Sequence, residues 1–415
     1  MERSVYARDE RGIRDEELIA VLREVLSGVR GRVLLLPPDL TRLHSGGGKI
    51  ANFCYHLLEG RCEVDVMPAL GTHSPMTEAE CQFLYGDIPF DRIIAHSWRQ
   101  DVVKIGSIPP ELMREVSEGF FDREIDVEID RRLLLGYDRI LSIGQVIPHE
   151  VAGLANQLKN ILVGCGGASL INASHIVSAF YGVERVMGRD HTPARRLFDY
   201  AGRFLAGLPI QYILTVADEA RLHGLFIGEG RACFEEAARL SLKVNVTWVD
   251  APLKKVVAYL EEAEFKTMWL GNKAVYRTRM AIADGGELIV LASGVRGFGE
   301  DPACDLLIRE YGYCGREKVI ELCRTQEDLK ANLSAAAHLI HGSPDGRFSV
   351  TYCTQFLDKA AVESVGYRYM PYGEAAARYD PGALKPGFNA LPDGEEIYFI
   401  PNPALGLWAP KGALQ

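Results

Sequence analysis

Three features are missing from this sequence: an apolar run of transmembrane length, a CxxC cysteine pair and an excess of positive charge. The formal net charge of −10 over 415 residues argues against nucleic acid and against an anionic membrane as partners. The N-terminus, MERSVYARDERG, is too charged for a signal peptide. We therefore expect a soluble cytoplasmic protein whose partner is a small molecule.

Cysteine usage points to the same compartment. The nine cysteines are scattered and odd in number, which is typical of reduced thiols rather than of a disulfide framework or a zinc ribbon. Hydrophobic residues make up 47% and charged residues 25%, ordinary values for a globular protein. A chain of this length can form two domains, each with its own core.

A stretch rich in glycine and asparagine, residues 144–176, contains His149, Lys159 and His175. The apolar run 138–148 predicts a buried strand, so His149 follows a strand end, where α/β folds place their ligands. The apolar residues around Lys159 would bury its stem, and a desolvated ammonium has a depressed pKa and becomes nucleophilic. The alternative is a helix with a snorkelling lysine and two histidines that cap it or lie in the core.

Polar side chains follow each of four predicted strands in the first part of the chain. The strands are 32–39, 63–70, 91–98 and 138–148, and the residues at their ends are Asp39 with Arg42, Thr72 with His73, His96, and His149. Titratable residues that recur at the ends of buried strands indicate a cleft rather than four unrelated surface loops.

Two of these strand ends suit an anion. Asp39 and Arg42 are three residues apart, so on a loop or a first helical turn both side chains face one side and can hold an anionic substrate. The alternative is a surface ion pair with Asp39 as a helix N-cap. Thr77 and Glu80 resemble a capping box, which puts residues 71–74 beside a helix N-terminus, where anions bind well.

Four sequence blocks match a known family in order and in spacing. They are 39-DLTR-42, 71-GTHSPMTEAE-80, 96-HSWRQD-101, and 148-PHEVAGLANQLK-159 with 172-NASH-175. In these blocks the chain resembles the nickel-pincer nucleotide-dependent lactate racemase family and its 2-hydroxyacid racemase and epimerase relatives. The resemblance covers the chain up to residue 180 or so and rests on layout alone beyond it.

The resemblance implies an isomerase that inverts a 2-hydroxyacid by reversible hydride transfer between substrate C2 and the cofactor. Lys159 would carry the pyridinium dithio-mononucleotide covalently, and His175 would complete the nickel coordination, since imidazole and sulfur suit nickel in a planar arrangement. His96 and His149 would be the acid/base pair. Separate cofactor-maturation enzymes are implied as partners.

The resemblance also assigns binding residues. Arg42, held in place by Asp39, would bind the substrate carboxylate, and Thr72 and His73 would line the cofactor. Arg296, in a glycine-rich turn of the second domain, would contact the substrate. The fold that we expect is α/β with two α/β domains and the active site in the cleft between them.

The domain limits follow from the order of predicted elements. Strands are predicted at 211–218, 223–229 and 243–252, and a helix at 254–265. We expect an N-terminal cofactor-binding α/β domain over 1–250 and a C-terminal α/β domain over 251–393. The final segment, 394–415, is expected to return to the first domain.

Departures from the family pattern bear on the substrate. The loop 156–159 is Asn-Gln-Leu-Lys where lactate racemase has Gly-Gly-Arg-Lys. The family's Tyr-Gln-x-x-Lys group is not found, and the turn 293–301 supplies Arg296 and two carboxylates instead. Together with the basic segment 272–279, this favours a longer, hydroxylated acid such as an aldonate over lactate. The alternative is an ion-paired hinge.

Two other classes of function stay open. A zinc- or iron-dependent hydrolase or lyase could use His96, His149 and His175 as ligands, with Lys159 as a Schiff-base or electrostatic residue, although no HExxH pattern supports it. A non-catalytic sugar-acid or nucleotide binding protein could keep the same cleft. Its ligand affinity would survive replacement of His96 and His149 by alanine.

Overall fold

The structure is a mixed α/β protein, as the sequence predicts. The computed structural model describes residues 2–414, with the side chain of Leu405 excepted. Among these residues, no helix is both long enough and apolar enough to cross a bilayer.

Two compact units divide the chain, but not at a single point. The first unit extends to Ser174 and resumes over Met187–Asn245, and the second comprises His175–Val186 and the chain from Val246 onward. We placed one boundary at residue 250. The contacts instead separate the units between Asn245 and Val246 and add a short earlier segment to the second unit.

A six-stranded sheet forms the centre of the first unit. The strands of this unit are β1 (Arg3–Tyr6), β2 (Gly31–Leu36), β3 (Cys62–Val66), β4 (Val102–Ile108), β5 (Ile125–Asp130), β6 (Arg139–Gln145), β7 (Pro148–His149), β8 (Gly153–Leu154), β9 (Ile210–Ala217) and β10 (Leu222–Gly228). The sheet order is β1-β10-β9-β6-β2-β3, with β9, β6, β2 and β3 parallel and β10 antiparallel to both of its neighbours. Strands β4 and β5 pair separately, as do β7 and β8.

Helices follow most strands of the first unit. They are α1 (Asp15–Leu26), α2 (Gly47–Leu58), α3 (Glu78–Tyr85), α4 (Pro110–Val116), α5 (Ala168–Tyr181), α6 (Val183–Val186), α7 (Pro193–Ala201) and α8 (Arg231–Val244), with 3-10 turns at Leu40–Ser45, Phe90–Arg92, Arg131–Leu134 and Gly202–Leu205 and a π-helical turn at Asn160–Gly164. The division between the units falls within α5, so α6 belongs to the second unit.

The core of the first unit explains why these residues form a parallel sheet. Four consecutive residues of β2, Val33–Leu36, are fully buried, as expected for a strand covered on both faces. Helix α1 places Leu18, Leu22 and Leu26 on one buried stripe, the spacing of an amphipathic helix. The carboxyl ends of the parallel strands are therefore fixed by the core, and the loops that follow them are the polar part of this unit.

The second unit has its own six-stranded sheet. The strands of this unit are β11 (Val246–Val249), β12 (Leu253–Tyr259), β13 (Ile282–Leu291), β14 (Phe348–Thr354), β15 (Arg368–Pro371), β16 (Gly387–Ala390), β17 (Glu396–Ile400) and β18 (Leu407–Pro410). Its helices are α9 (Met268–Gly271), α10 (Lys273–Thr278), α11 (Pro302–Tyr311), α12 (Arg316–Thr325), α13 (Glu327–Ala331), α14 (Leu333–Gly342), α15 (Lys359–Ser364) and α16 (Tyr372–Arg378), with a 3-10 turn at Pro403–Leu405. The sheet order is β15-β14-β13-β12-β17-β16, parallel except for β16.

The predicted strand 91–98 is wrong. Residue Ile93 makes a single parallel bridge to Val66, and the Ile94 N–H donates to the Val66 carbonyl at 2.7 Å. After Ile94 the chain leaves the edge of the sheet, and His96 forms a hydrogen bond with the buried carboxylate of Asp130 in β5. The histidine thus lies in a loop and not at a strand end.

The predicted helix 254–265 is also wrong, because most of this segment is strand β12. Val256 and Val257 are buried between the parallel strands β13 and β17. Lys255 lies 3.1 Å from a Glu287 carboxylate oxygen and 2.5 Å from one of Glu395, across both neighbouring strands. Apolar spacing alone does not distinguish a helix from a strand that is buried on both faces. Here the β-branched residues Val256 and Val257 favour the strand.

The end of the chain also differs from the expectation for 394–415. Strand β17 pairs with β12 and β16, and β18 pairs with β11, so both lie in the second unit. Parallel pairing between β12 and β17 supplies the physical reason: the final segment completes a sheet that has already formed within that unit.

The capping box at the start of α3 offers a local test of the fold. The Thr77 hydroxyl accepts from the Glu80 N–H at 3.3 Å, and the Glu80 carboxylate accepts from the Thr77 N–H at 2.7 Å. We expect Thr77→Ala to destabilise this helix by about 1 kcal/mol. Hydrogen exchange of the α3 amides measures this, with Thr77→Ser as the control that keeps the hydroxyl. Equal protection in the two variants would show that the cap contributes nothing.

Candidate functional site

Lys159 follows a strained loop. Asn156 and Gln157 have φ values of 73° and 60°, which residues other than glycine adopt at a cost. A Cβ on Gly144 would lie 2.4 Å from Asn156 Nδ2, so only glycine leaves room for this loop. Lys159 immediately precedes the π-helical turn Asn160–Gly164, and such turns are frequent at functional sites.

The π-helical turn is attached to the sheet and to the turn after β3. Asn160 Nδ2 donates to the Leu36 carbonyl at 3.4 Å and to Ser142 Oγ at 3.0 Å. The Gly71 N–H donates to the Gly164 carbonyl at 2.8 Å. Because Leu36 is the last residue of β2, the lysine segment lies at the carboxyl end of a central parallel strand, the usual place for a ligand site.

Two of the predicted strand ends come together at Asp39. Its Oδ2 lies 2.5 Å from His73 Nδ1, and its Oδ1 accepts from the Thr41 hydroxyl at 2.6 Å. Burial alone would raise the pKa of Asp39, but the hydrogen bond and charge of His73, with Thr41 and Arg42, hold that pKa below its usual value. Asp39 is also the N-cap of the 3-10 turn, so the capping alternative holds for this residue. Thr72 lies exposed in the adjoining turn.

Arg42 and Lys159 place two positive charges in the same region. Arg42 is partly buried, and within residues 2–414 no carboxylate forms an ion pair with it. Burial, together with the charge of Arg42, lowers the pKa of Lys159 from 10.5 to about 8, against the opposing charges of Glu150 and Asp39. Lys159 as a whole residue is partly exposed.

His96 is buried with an acceptor at each ring nitrogen. Nδ1 lies 2.8 Å from Asp130 Oδ2, and Nε2 lies 3.1 Å from the Gly166 carbonyl oxygen. Arg132 donates to Asp130 from its backbone N–H at 2.9 Å and from its guanidinium at 3.1 Å. Since a carboxylate and a carbonyl only accept, both bonds form when both ring nitrogens carry a proton. This environment favours His96 as a proton donor.

His149 has the opposite environment. It is buried in β7, and its Nδ1 accepts from the Val151 N–H at 3.1 Å and from the Ala152 N–H at 3.4 Å. An accepting Nδ1 requires a neutral ring with the proton on Nε2. The two rings thus differ in their surroundings: both nitrogens of His96 face acceptors, whereas His149 Nδ1 faces backbone donors and lies 3.8 Å from a Glu150 carboxylate oxygen.

The remaining predicted residues lie in the second unit. His175 is partly buried in α5, and Arg296 is exposed, with its guanidinium carbon 4.8 Å from the centre of the Phe356 ring. The two carboxylates of the same turn bind within their own unit: Glu300 accepts from a threonine hydroxyl, and Asp301 caps α11. Arg296, Glu300 and Asp301 are all exposed, and Arg296 Nε also donates to the Gly294 carbonyl at 3.4 Å.

The basic segment 272–279 is mostly structural. Arg279 is buried and lies 2.6 Å from a Glu184 oxygen and 2.7 Å from an Asp345 oxygen. Arg277 is buried as well. The ion-pair alternative is therefore correct for Arg279, and this arginine adds nothing to the argument for a hydroxylated substrate.

The zinc or iron alternative needs a cluster of protein ligands. In the part of the chain that the structure describes, no group of three or more His, Cys, Asp or Glu side chains could hold a metal ion. A metal site built from His96, His149 and His175 would need such a group. A cofactor that brings its own sulfur and carbon donors needs only one histidine.

Sequence reasoning missed Asp130 and Arg195. Asp130 ends the run IDVEID, whose alternation assigns it to the same face as Asp126 and Glu128, so nothing marks it as the buried partner of a histidine. Arg195 belongs to a charged helix, and its full burial is a tertiary property. Neither residue carries a local signal.

The buried amine makes stability depend on pH. The pKa of Lys159 is lower in the folded chain, about 8, than its ordinary value of 10.5. Between these values the unfolded chain binds more protons, so stability rises with pH. We expect Lys159→Met to raise the free energy of unfolding at neutral pH by up to about 3 kcal/mol and to abolish that rise.

Urea unfolding at several pH values measures this effect. Lys243→Met, which removes an exposed lysine of the same unit, is the matched control. If both variants follow the wild-type pH dependence, the Lys159 amine is not desolvated in the folded chain.

One family model matches part of the chain. Residues 18–187 match the family described as the lactate racemase N-terminal domain, a range that contains Asp39, His96, His149, Lys159 and His175. None of the curated proteins compared with the chain matches it.

Two solved structures resemble the whole chain. A Thermotoga maritima protein solved by structural genomics shares 23% identity at a TM-score of 0.83, covering 97% of this chain and 100% of its own. The lactate racemase apoprotein from Thermoanaerobacterium thermosaccharolyticum shares 16% identity at a TM-score of 0.68, covering 98% of this chain and 100% of its own. Residues 18–187 thus match the lactate racemase N-terminal domain, and the fold of the chain is similar to that of lactate racemase.

Proposed function

We propose that this chain is a racemase or epimerase that inverts C2 of a 2-hydroxyacid by reversible hydride transfer, with a nickel-pincer nucleotide bound covalently to Lys159. The observation that carries the proposal is the amine of Lys159, whose pKa burial lowers to about 8, within a segment that matches the lactate racemase N-terminal domain. A useful fraction of such an amine is unprotonated near neutral pH, and the unprotonated amine is the nucleophile.

The residues fit this cofactor. Lys159 offers the attachment point, Arg42 adds positive charge for an anionic group beside it, and the Gly71 turn packs directly on the π-helical turn. His175 would supply the imidazole that completes the nickel coordination. When bound, the nickel-pincer nucleotide supplies a site that accepts hydride from substrate C2 and returns it.

His96 and His149 serve as acid and base in this proposal. Oxidation at C2 to a 2-keto acid removes the hydroxyl proton, and reduction returns one. The bonds from Val151 and Ala152 to His149 Nδ1, at 3.1 and 3.4 Å, must break before this nitrogen accepts a proton. The carboxylate of Asp130 orients the His96 ring through Nδ1.

Arg42 is the residue that we assign to the substrate carboxylate. Its guanidinium has no ion-pair partner among residues 2–414, so no carboxylate among these residues neutralises its charge through an ion pair. Asp39 stays ionised because His73 and Thr41 bond to it, and its charge holds Arg42 in this region. A guanidinium binds a carboxylate through two parallel hydrogen bonds, which also orients C2.

The substrate that we propose is a hydroxylated acid such as an aldonate, with shorter 2-hydroxyacids as the alternative. Arg296 supports this choice, because its exposed guanidinium stacks on Phe356 and can donate to a hydroxyl or carboxylate. The nearby carboxylates Glu300 and Asp301 are bonded within their own unit and give the proposal no further support.

Inversion in D₂O tests the hydride mechanism. A C2 hydrogen that leaves and returns as hydride stays protium in the inverted product, whereas removal as a proton admits solvent deuterium at C2. We expect protein made together with the cofactor-maturation enzymes to invert its substrate with protium retained. Deuterium entering C2 at the rate of inversion would overturn the proposal.

Histidine variants test the proton steps. We expect His149→Asn and His96→Gln each to lower kcat by roughly 10²–10⁴-fold, with the nickel content unchanged. His56→Gln is the matched control, since His56 lies in the same unit, is largely exposed and bonds to Asp87. Activity of the His149 variant equal to that of the control would remove the base from this account.

A further inference from the structure

Arg195 carries a guanidinium that is almost completely withdrawn from solvent, with 1% of its surface exposed. Its Nη2 donates to the Leu154 carbonyl at 2.6 Å. Its Nη1 reaches both the Asn156 carbonyl and Gln157 Oε1 at 3.4 Å. Two of these acceptors lie in the short loop that leads to Lys159, and the third, Leu154, ends strand β8 just before it. A single side chain from α7 thus binds this loop and the strand before it at three places.

Charge compensation does not explain why Arg195 is buried. Within residues 2–414 no carboxylate forms an ion pair with it, and Asp190 and Asp199 act on it only from a greater distance. The ring of Phe234 lies 4.5 Å from its guanidinium carbon. Burial lowers the pKa of Arg195 to about 10. Because an arginine is rarely buried without a paired carboxylate, its bonds to the loop are the contacts that account for it.

The bonds of Arg195 fall on the strained part of the loop. Asn156 and Gln157 both have left-handed backbone conformations, which persist only where the surroundings fix them. The Gln157 carbonyl accepts from the Asn160 N–H at 3.0 Å, so the same backbone determines where the π-helical turn starts. Lys159 lies between Gln157 and Asn160 in the chain. The position of Lys159 therefore follows from the loop backbone that Arg195 fixes.

We propose that Arg195 is a positioning residue for Lys159: it holds the left-handed Asn156–Gln157 backbone in place so that the lysine amine faces the site in a fixed orientation. This inference rests on the proposed function only in that Lys159 is taken as the attachment residue. The three-point contact needs a planar fork of donors, which arginine has and lysine lacks. The positive charge of Arg195 also disfavours protonation of the nearby amine.

Competitive labelling of the apoprotein with trace acetic anhydride, followed by peptide mapping across a range of pH, measures two quantities at each lysine. They are the pKa of the amine and its limiting reactivity when it is fully unprotonated. Wild-type Lys159 should titrate with a pKa of about 8. In Arg195→Met we expect the midpoint to rise, because a nearby positive charge is lost, and the limiting reactivity to fall roughly tenfold, because the amine is displaced. In Arg195→Lys the charge stays, so only the limiting reactivity should fall.

A matched control and a rescue separate positioning from general damage. Arg196→Met changes the next residue of α7, which is exposed and pairs with Glu115 at 2.7 Å, and it should label as wild type does. Adding Gln157→Gly to Arg195→Met removes the strain at that residue and should restore part of the Lys159 reactivity.

The conservative variant decides the outcome even if Arg195→Met does not fold. Wild-type reactivity of Lys159 in Arg195→Lys would overturn the inference, as would equal changes at every lysine of that variant. Because the labelling uses apoprotein, this result is independent of the cofactor. Absence of a cofactor on Lys159 would refute the proposed function and leave the positioning role of Arg195 to be judged on labelling alone.

Discussion

Desolvation of the Lys159 ammonium is the constraint on which the rest of the site depends. The amine is enclosed by protein and lies within the field of Arg42, so its charged form is disfavoured and its pKa falls to about 8. Burial of a lysine in this way costs stability at neutral pH. The proposed attachment of the cofactor to this amine accounts for that cost.

The first unit also holds three candidate residues with well-defined hydrogen bonds. The pKa of Asp39 is held low by His73 and Thr41, His96 has acceptors at both ring nitrogens, and His149 accepts from backbone donors. Asp39 follows the parallel strand β2, His96 lies in a loop after Ile94, and His149 belongs to the short strand β7. A rigid sheet therefore sets the geometry, and the loops supply the chemistry.

The sequence predicted the parts of the site that carry local signals. Lys159 lies among apolar residues, His149 follows a buried strand, and the Thr77 capping box is present as predicted. Long-range relations could not be predicted: Asp130 sits on the face that alternation assigns to its solvent-facing neighbours, and β12 has a spacing that fits a helix equally well. In both cases burial in the folded protein determines the outcome, and the periodicity of a single sequence does not predict that burial.

The most direct test of the account is an intact-mass spectrum of the protein co-expressed with cofactor-maturation enzymes, followed by peptide mapping and nickel analysis. The account predicts an added mass localised to Lys159 with stoichiometric nickel, and no addition in the Lys159→Arg variant. An unmodified chain without nickel, under conditions that load a lactate racemase, would contradict it.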